Sequence, residues 1–245
     1  FDSIDKTKKI IESFRDKRIR YYKNKKWLGI SKSRNLSLKY SKGETILSPE
    51  DKINSIYSIK KGFVCSHSIN EEGYELTLNI YKPSSFFPIV TALANVDSSY
   101  YFKAISNVVL YIAPVDEVIE YLRSDEEVLF DLTKRLSVGL EGFMIRTQFL
   151  IRSDARQKIA SSLVMMVRRF GLKDGKKVTI QLPQTHADIA SLAGVSRETA
   201  SIELKKLERE KVIERKGKTT IVLNLLKLQR ISILYYEDKP LPYTF

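Results

Sequence analysis

Arg197 and Glu198 stand side by side after Ser196, a residue that can open a helix. A guanidinium can chelate guanine O6 and N7, and a carboxylate can accept from cytosine N4. The pair therefore suits adjacent or opposite G·C pairs. That chemistry requires the N-terminal turn of a helix lying in the major groove. The helical period puts Ala200, Leu204 and Leu207 on the inner side and Ser201, Ile202, Lys205 and Lys206 on the outer side with Arg197 and Glu198. Arg197, Glu198, Ser201 and Ile202 form the candidate base-reading set. Ser196, Thr199 and the first-turn amides are placed for phosphates, which position a protein without specifying sequence.

A partner helix must hold this one. Thr185 can cap it, with Asp188 three residues on as the capping-box partner. Ile189, Leu192 and Ala193 then face inward, Ala190 permits close helix approach, and Val195 plugs the corner. Gly194 falls at the sharp turn, where a positive φ is expected. Downstream, Val212-Ile213, Lys216-Gly217-Lys218 and Thr220–Leu223 read as a hairpin wing. Its lysines, Lys216 and Lys218, complete a candidate phosphate-contacting set with Thr185, Ser196, Thr199 and Lys205. The same spacing occurs in ordinary helical hairpins. The capped opening, the wing and the local charge favour DNA.

The charge is uneven. Of a net +13, residues 1–35 carry 12 Lys and Arg against 4 Asp and Glu, and residues 151–245 carry 19 against 10. The middle, 36–150, has 11 against 15. Basic ends favour a polyanionic partner, nucleic acid before membrane. One cysteine, Cys65, rules out an internal disulfide, and with it a four-cysteine zinc or iron–sulfur site. There is no apolar run of membrane-spanning length, and the opening residues do not read as a signal peptide, so the cytoplasm is the expected location. There is no phosphate loop or Gly-x-Ser-x-Gly motif, and histidine occurs twice, which argues against an enzyme.

Four segments are expected, in an α+β chain. Residues 1–34 form a basic helical arm that either packs on the next domain or meets nucleic acid. Residues 35–114 alternate short apolar runs with turn residues, the pattern of a β-roll, with a hairpin turn at Asn70–Gly73. Residues 115–150 read as one long helix. Its apolar stripe, including Leu132, Leu136, Leu140 and Phe143, is a seam for pairing with a second copy or a face buried within one subunit. Residues 151–245 form a winged helix-turn-helix.

Here the chain resembles the CRP/FNR family of bacterial transcription factors. Gly194–Ser201, Leu204–Leu207, Val212-Ile213 and Lys216–Thr219 follow the family's C-terminal domain without a gap. Gly43–Ile46, Ile56–Gly62 and Glu72-Gly73 resemble its cyclic-nucleotide-type β-roll, and the long helix resembles its dimerisation helix. The likeness spans about 35–235. It implies a homodimer on a two-fold symmetric promoter site in double-stranded DNA, working with RNA polymerase. It implies base contacts by Arg197 and Glu198, and adds His186 to the phosphate set with Ser196, Thr199 and Lys218. At 202, where several relatives place another base-reading Arg, this chain has Ile202, which can only touch a thymine methyl.

The sensor departs from the family. Cyclic-nucleotide binders carry Gly-Glu-Leu followed by Arg-Ser or Arg-Thr, whereas Ser84–Tyr101 has no such segment and no Arg. A buried phosphate without its Arg would be poorly compensated, so cyclic AMP binding is not expected. Gly139-Leu140 falls near where polar residues can meet an adenine. Phe86, Phe87, Tyr100 and Tyr101, with Gly139 and Leu140, form a candidate pocket for an unknown small-molecule effector, or these aromatics simply fill the core. Cys65 and His67 share a strand face and could ligate haem, but the haem-sensing branch places its ligands later in the roll. No cofactor is expected. Besides a sequence-specific regulator, a haem- or small-molecule-sensing regulator and a non-specific basic nucleic-acid-binding protein remain alternatives.

Overall fold

The computed structural model describes residues 36–234. The basic arm 1–34 and the segment beyond Leu234 lie outside the described residues. The described chain divides into two compact units. One comprises the chain up to Ser68 with Leu78–Thr133, and the other Ile69–Thr77 with the chain from Lys134.

The first unit is built on β1 (Leu36–Tyr40), β2 (Thr45–Leu47), β3 (Ser55–Lys61), β4 (Val64–Ile69), β5 (Glu75–Tyr81), β6 (Phe86–Phe87), β7 (Tyr101–Ala104) and β8 (Val108–Pro114). One antiparallel sheet has the order β1-β8-β3-β6 and the other β2-β7-β4-β5. Alternate residues point inward, as the two-residue period of a strand demands. In β8, Val108 and Leu110 are buried and Val109 is less so; in β7, Phe102 and Ala104 are buried. Leu38, Ile46, Leu47, Ile59, Val64 and Phe87 join them in one core contributed by both sheets. Burying Phe87, Phe102 or Leu110 contributes about 1.5–3 kcal/mol each. The expected hairpin turn forms. Asn70 Oδ1 accepts from the Tyr74 amide at 2.8 Å, and the Gly73 amide donates to the Asn70 carbonyl at 2.9 Å. A short helix, α1 (Ile89–Ala94), follows β6.

The single helix expected over 115–150 is two. α2 (Val115–Ser124) ends at Asp125, whose backbone is extended, and α3 (Glu126–Arg152) begins anew. The Asp125 carboxylate accepts from the Glu127 and Val128 amides, both at 3.1 Å, which satisfies donors that a new helix would otherwise orphan. Between Leu122 and Val128 the run Arg-Ser-Asp-Glu-Glu holds no apolar residue, a gap in the stripe that the single-helix expectation passed over. The chain passes from the first unit to the second within α3, after Thr133.

The second unit continues with α4 (Ala155–Phe170), β9 (Gly171–Asp174), β10 (Lys177–Ile180), α5 (His186–Ala193), α6 (Arg197–Arg209), β11 (Ile213–Lys216), β12 (Thr219–Val222) and α7 (Leu225–Ile231). Gly171–Gly175 forms a strand and turn, and the sheet runs β11-β12-β10-β9. Ile159, Leu163, Val164 and Val167 of α4 are at most 3% exposed and form the floor of this unit with Ile189, Leu204 and Leu207. Among the described residues no helix is long and apolar enough to cross a membrane.

Gly62 has φ +91°, and a Cβ there would clash with the Asn107 carbonyl oxygen. Gly43 has the same kind of backbone, φ +93°, in open space. Gly62→Ala is therefore expected to lower unfolding free energy by about 2 kcal/mol or more, and Gly43→Ala by about 1 kcal/mol. Equal losses in urea denaturation would show that the Asn107 contact carries no weight.

Candidate nucleic-acid interface

α5 and α6 make the helix-turn-helix. Thr185 Oγ1 accepts from the Asp188 amide at 3.1 Å, and the Asp188 carboxylate accepts from the Thr185 amide at 2.7 Å. This is the expected capping box. The Thr185 hydroxyl also donates to Asp188 at 2.7 Å, so it is tied into the cap. Gly194 ends α5 with φ 60°, and its amide donates to the Ala190 carbonyl. The Ser196 hydroxyl then accepts from the Thr199 amide at 3.1 Å and lies 2.9 Å from the Thr199 hydroxyl, opening α6. Ala190, Ala193 and Ala200 are at most 3% exposed, so small side chains line the close approach of the two helices.

This leaves Arg197, Glu198 and Lys205 exposed on α6 and Ile202 56% exposed. Ser201 is half-buried, and its hydroxyl lies 2.8 Å from His186 Nδ1. Lys206 shares the outer side, but its ammonium is bound to the Glu203 carboxylate at 2.7 Å. Glu203 is 8% exposed, a buried carboxylate that sequence reasoning did not mark. On the wing, Lys216 and Lys218 are exposed at the β11–β12 turn, with Glu214 3.3 Å from Lys216.

Two arginines missed by the sequence reading hold this arrangement. Arg215 Nη1 donates to Thr220 Oγ1 at 2.8 Å, and Nη2 donates to the Gln184 carbonyl at 2.6 Å. Its amide donates to Glu208 at 3.0 Å. Arg215 thus joins the wing, the residue leading into α5 and the end of α6. Arg146 of α3 is 7% exposed and donates from Nη2 to the Leu192 carbonyl at 2.9 Å, filling an acceptor that the C-terminus of α5 leaves open. Burial, with Arg169 nearby, lowers its pKa to about 10, so it stays a cation at neutral pH. No local pattern announces either residue, since their partners lie 31 and 46 positions away.

His186 sits in a positive field. Burial first, then Arg215, with smaller contributions from Arg197 and Lys205, holds its pKa below the ordinary imidazole value, and Glu208 opposes them. Within the same unit, Thr77 of β5 touches α5: its amide donates to the Ser191 hydroxyl at 2.8 Å.

The candidate effector residues do not behave as one group. Phe87 is fully buried, 4.8 Å from Phe102 and 5.4 Å from Tyr57 between ring centroids, so it belongs to the core. Tyr100 bonds Thr91 through its hydroxyl at 3.0 Å, and Tyr101 stacks on His67 at 5.4 Å. Phe86 is half-buried beside Ser58. Gly139 and Leu140 belong to the other unit. Cys65 Sγ and His67 Nδ1 are 3.9 Å apart on β4, as their spacing predicts. Among the described residues no group of three or more metal-ligating side chains gathers.

Of the seam residues, Leu140 and Phe143 are each 60% exposed and Leu136 is half-buried. Leu132 departs from expectation: at 4% exposed it is already buried in the single chain. Leu129, Phe130, Met144 and Ile151 extend the exposed apolar surface of α3 instead.

Residues 157–231 match the family described as Crp-like helix-turn-helix domain, and residues 37–125 match the cyclic nucleotide-binding domain. The global nitrogen regulator of Nostoc sp. is 27% identical over 189 residues, covering 74% of this chain and 83% of the relative. A crystal structure of a CRP/FNR-family transcriptional regulator from Thermus thermophilus superposes with a TM-score of 0.63 at 26% identity, covering 80% of this chain and 97% of the other. FixK2 from Bradyrhizobium japonicum shares the fold at a TM-score of 0.69 and 19% identity, covering 82% and 98%.

Ser196→Ala removes the α6 cap and is expected to cost about 1 kcal/mol in urea denaturation, while Ser196→Asp retains most of the stability. An equal loss for both would mean the hydroxyl acts through something other than the cap.

Proposed function

The chain belongs to the CRP/FNR family of DNA-binding transcriptional regulators, and from that premise we propose how it reads its site. Two copies pair through α3 and place two α6 helices in successive major grooves of a two-fold symmetric promoter, about 34 Å apart. Arg197 takes a guanine, Glu198 a cytosine amino group, and Ile202 a thymine methyl. Ser196, Thr199, His186, Lys205, Lys216 and Lys218 meet backbone phosphates. The supporting observation is that Arg197, Glu198 and Ile202 are exposed on one capped helix beside an exposed pair of wing lysines. RNA polymerase is the proposed downstream partner.

The roll takes no cyclic AMP in this reading. The stretch Ser84–Tyr101 supplies no Arg for a cyclic phosphate, and its buried Phe87 is committed to the core. An effector of another kind would have to use the half-buried Phe86, Tyr100 and Tyr101.

Arg197→Ala is expected to cost about 1–3 kcal/mol at a site selected from random sequence, with little change on unselected duplex. Equal loss on both would place Arg197 on the backbone and favour non-specific binding. Leu140→Glu with Phe143→Glu is expected to yield monomers by analytical ultracentrifugation. An unchanged dimer would move the interface away from this part of α3.

A further inference from the structure

The pairing of His186 with Ser201 does more than brace two helices. Ser201 lies one turn beyond Arg197 on α6, and its hydroxyl is 2.8 Å from Nδ1 of the first residue of α5. Both side chains are half-exposed, so both can meet a ligand. The charges facing His186 come from two further elements: Arg197, Lys205 and Glu208 on α6 and Arg215 on β11. On its own helix, Asp188 is bound to Thr185. Three cations against one carboxylate disfavour a proton on the ring in the free protein. Burial, the largest cause, together with these charges holds its pKa below the ordinary imidazole value.

A neutral imidazole and a hydroxyl share this bond in one of two ways. Either Ser201 donates to Nδ1, or Nδ1–H donates to Ser201. A DNA phosphate changes the field. Its negative charge offsets Arg197, Lys205 and Arg215 and favours the imidazolium. An imidazolium donates from both nitrogens. Nδ1–H must then donate to Ser201 Oγ, Nε2–H is left for a phosphate oxygen, and the serine proton can no longer point at His186.

We propose that His186 and Ser201 form a protonation-coupled recognition pair. On binding duplex DNA, His186 takes a proton from solvent and donates from Nε2 to a backbone phosphate. Ser201 is thereby made a hydrogen-bond donor toward a base edge. This rests on α6 being the helix that faces the bases. The sign follows from linkage. The pKa of His186 is higher in the complex than in the free protein, so the affinity gain is complete below the free-state pKa. It is lost as pH rises through the complex pKa.

The test uses the full chain with two duplexes of about 30 base pairs, one of mixed sequence and one selected from random sequence. Calorimetric titration near pH 7 in phosphate and in Tris, whose ionisation heats differ, should report uptake of up to one proton per protomer on both duplexes. His186→Gln should abolish the uptake. It should weaken binding about tenfold at pH 6 and less than twofold at pH 8. The chain has two histidines, so NMR of the intact protein can follow His186 with His67 as internal reference, and its titration should move upward on adding DNA. Ser201→Ala should keep the proton uptake and relax base preference at one position of the selected site. No uptake, uptake that persists in His186→Gln, or a His186 titration unmoved by DNA would overturn the pair. Uptake equal on both duplexes, with no preference between them, would support the pair and sink the base-reading function. Failure to bind either duplex would sink both.

Discussion

The left-handed turn at Gly194 is the constraint on which the DNA-reading face depends. A φ of 60° lets α5 stop and α6 start within three residues. A Cβ here would carry both the strain of that backbone and a contact 3.3 Å from Leu150. The turn is held from both sides. Arg146 takes the Leu192 carbonyl just before it, and Ser196 caps the helix just after. Ala190, Ala193 and Ala200 then let the two helices close, which fixes where Arg197 and Glu198 project. Without that angle their chemistry would remain but their aim would not.

Around this turn the molecule concentrates positive charge on α6 and the wing. Lys206 is neutralised by Glu203, and Arg215 is held by Thr220 and the Gln184 carbonyl, with its backbone amide on Glu208. Arg197, Lys205, Lys216 and Lys218 stay exposed. Arg215 is half-buried, and its hydrogen bonds offset the cost of burying a charge. Lys206 is exposed but paired with the buried Glu203. Burial first, and then Arg215, Arg197 and Lys205, lowers the His186 pKa; in the proposed complex, arriving phosphates would offset those cations.

Much of this was legible in the residue order because it is local. The Thr185–Asp188 box, the Ser196 cap, the positive φ at Gly194 and the Asn70–Gly73 hairpin each involve residues within four positions of each other. The strands of the roll announced themselves as short apolar runs separated by turn residues, and the likeness to the CRP/FNR family anticipated the order of the elements. What escaped was non-local or masked by continuity. Arg146 and Arg215 find carbonyls far along the chain. Glu203 sits on a side that the helical period marks only as intermediate. The apolar rhythm from Val115 to Met144 lapses only over residues 123–127, too briefly to announce the break at Asp125, which depends on one carboxylate turning back to two amides. Leu132 and Leu140 occupy equivalent-looking places on the stripe, and only packing shows that one is already covered.

The exposed stripe on α3 reaches beyond shape. Leu129, Leu140, Phe143 and Ile151 lie eleven, three and eight positions apart along α3, and each is at least 44% exposed in the single chain. In the pairing through α3 proposed above, a reader of symmetric sites would have to find its twin before it could bind well. Where copies are scarce, the paired population grows as the square of synthesis, so doubling expression raises it roughly fourfold. The hydrophobic face of one helix thereby becomes a threshold. The promoter ignores a few stray molecules and answers sharply once enough have been made.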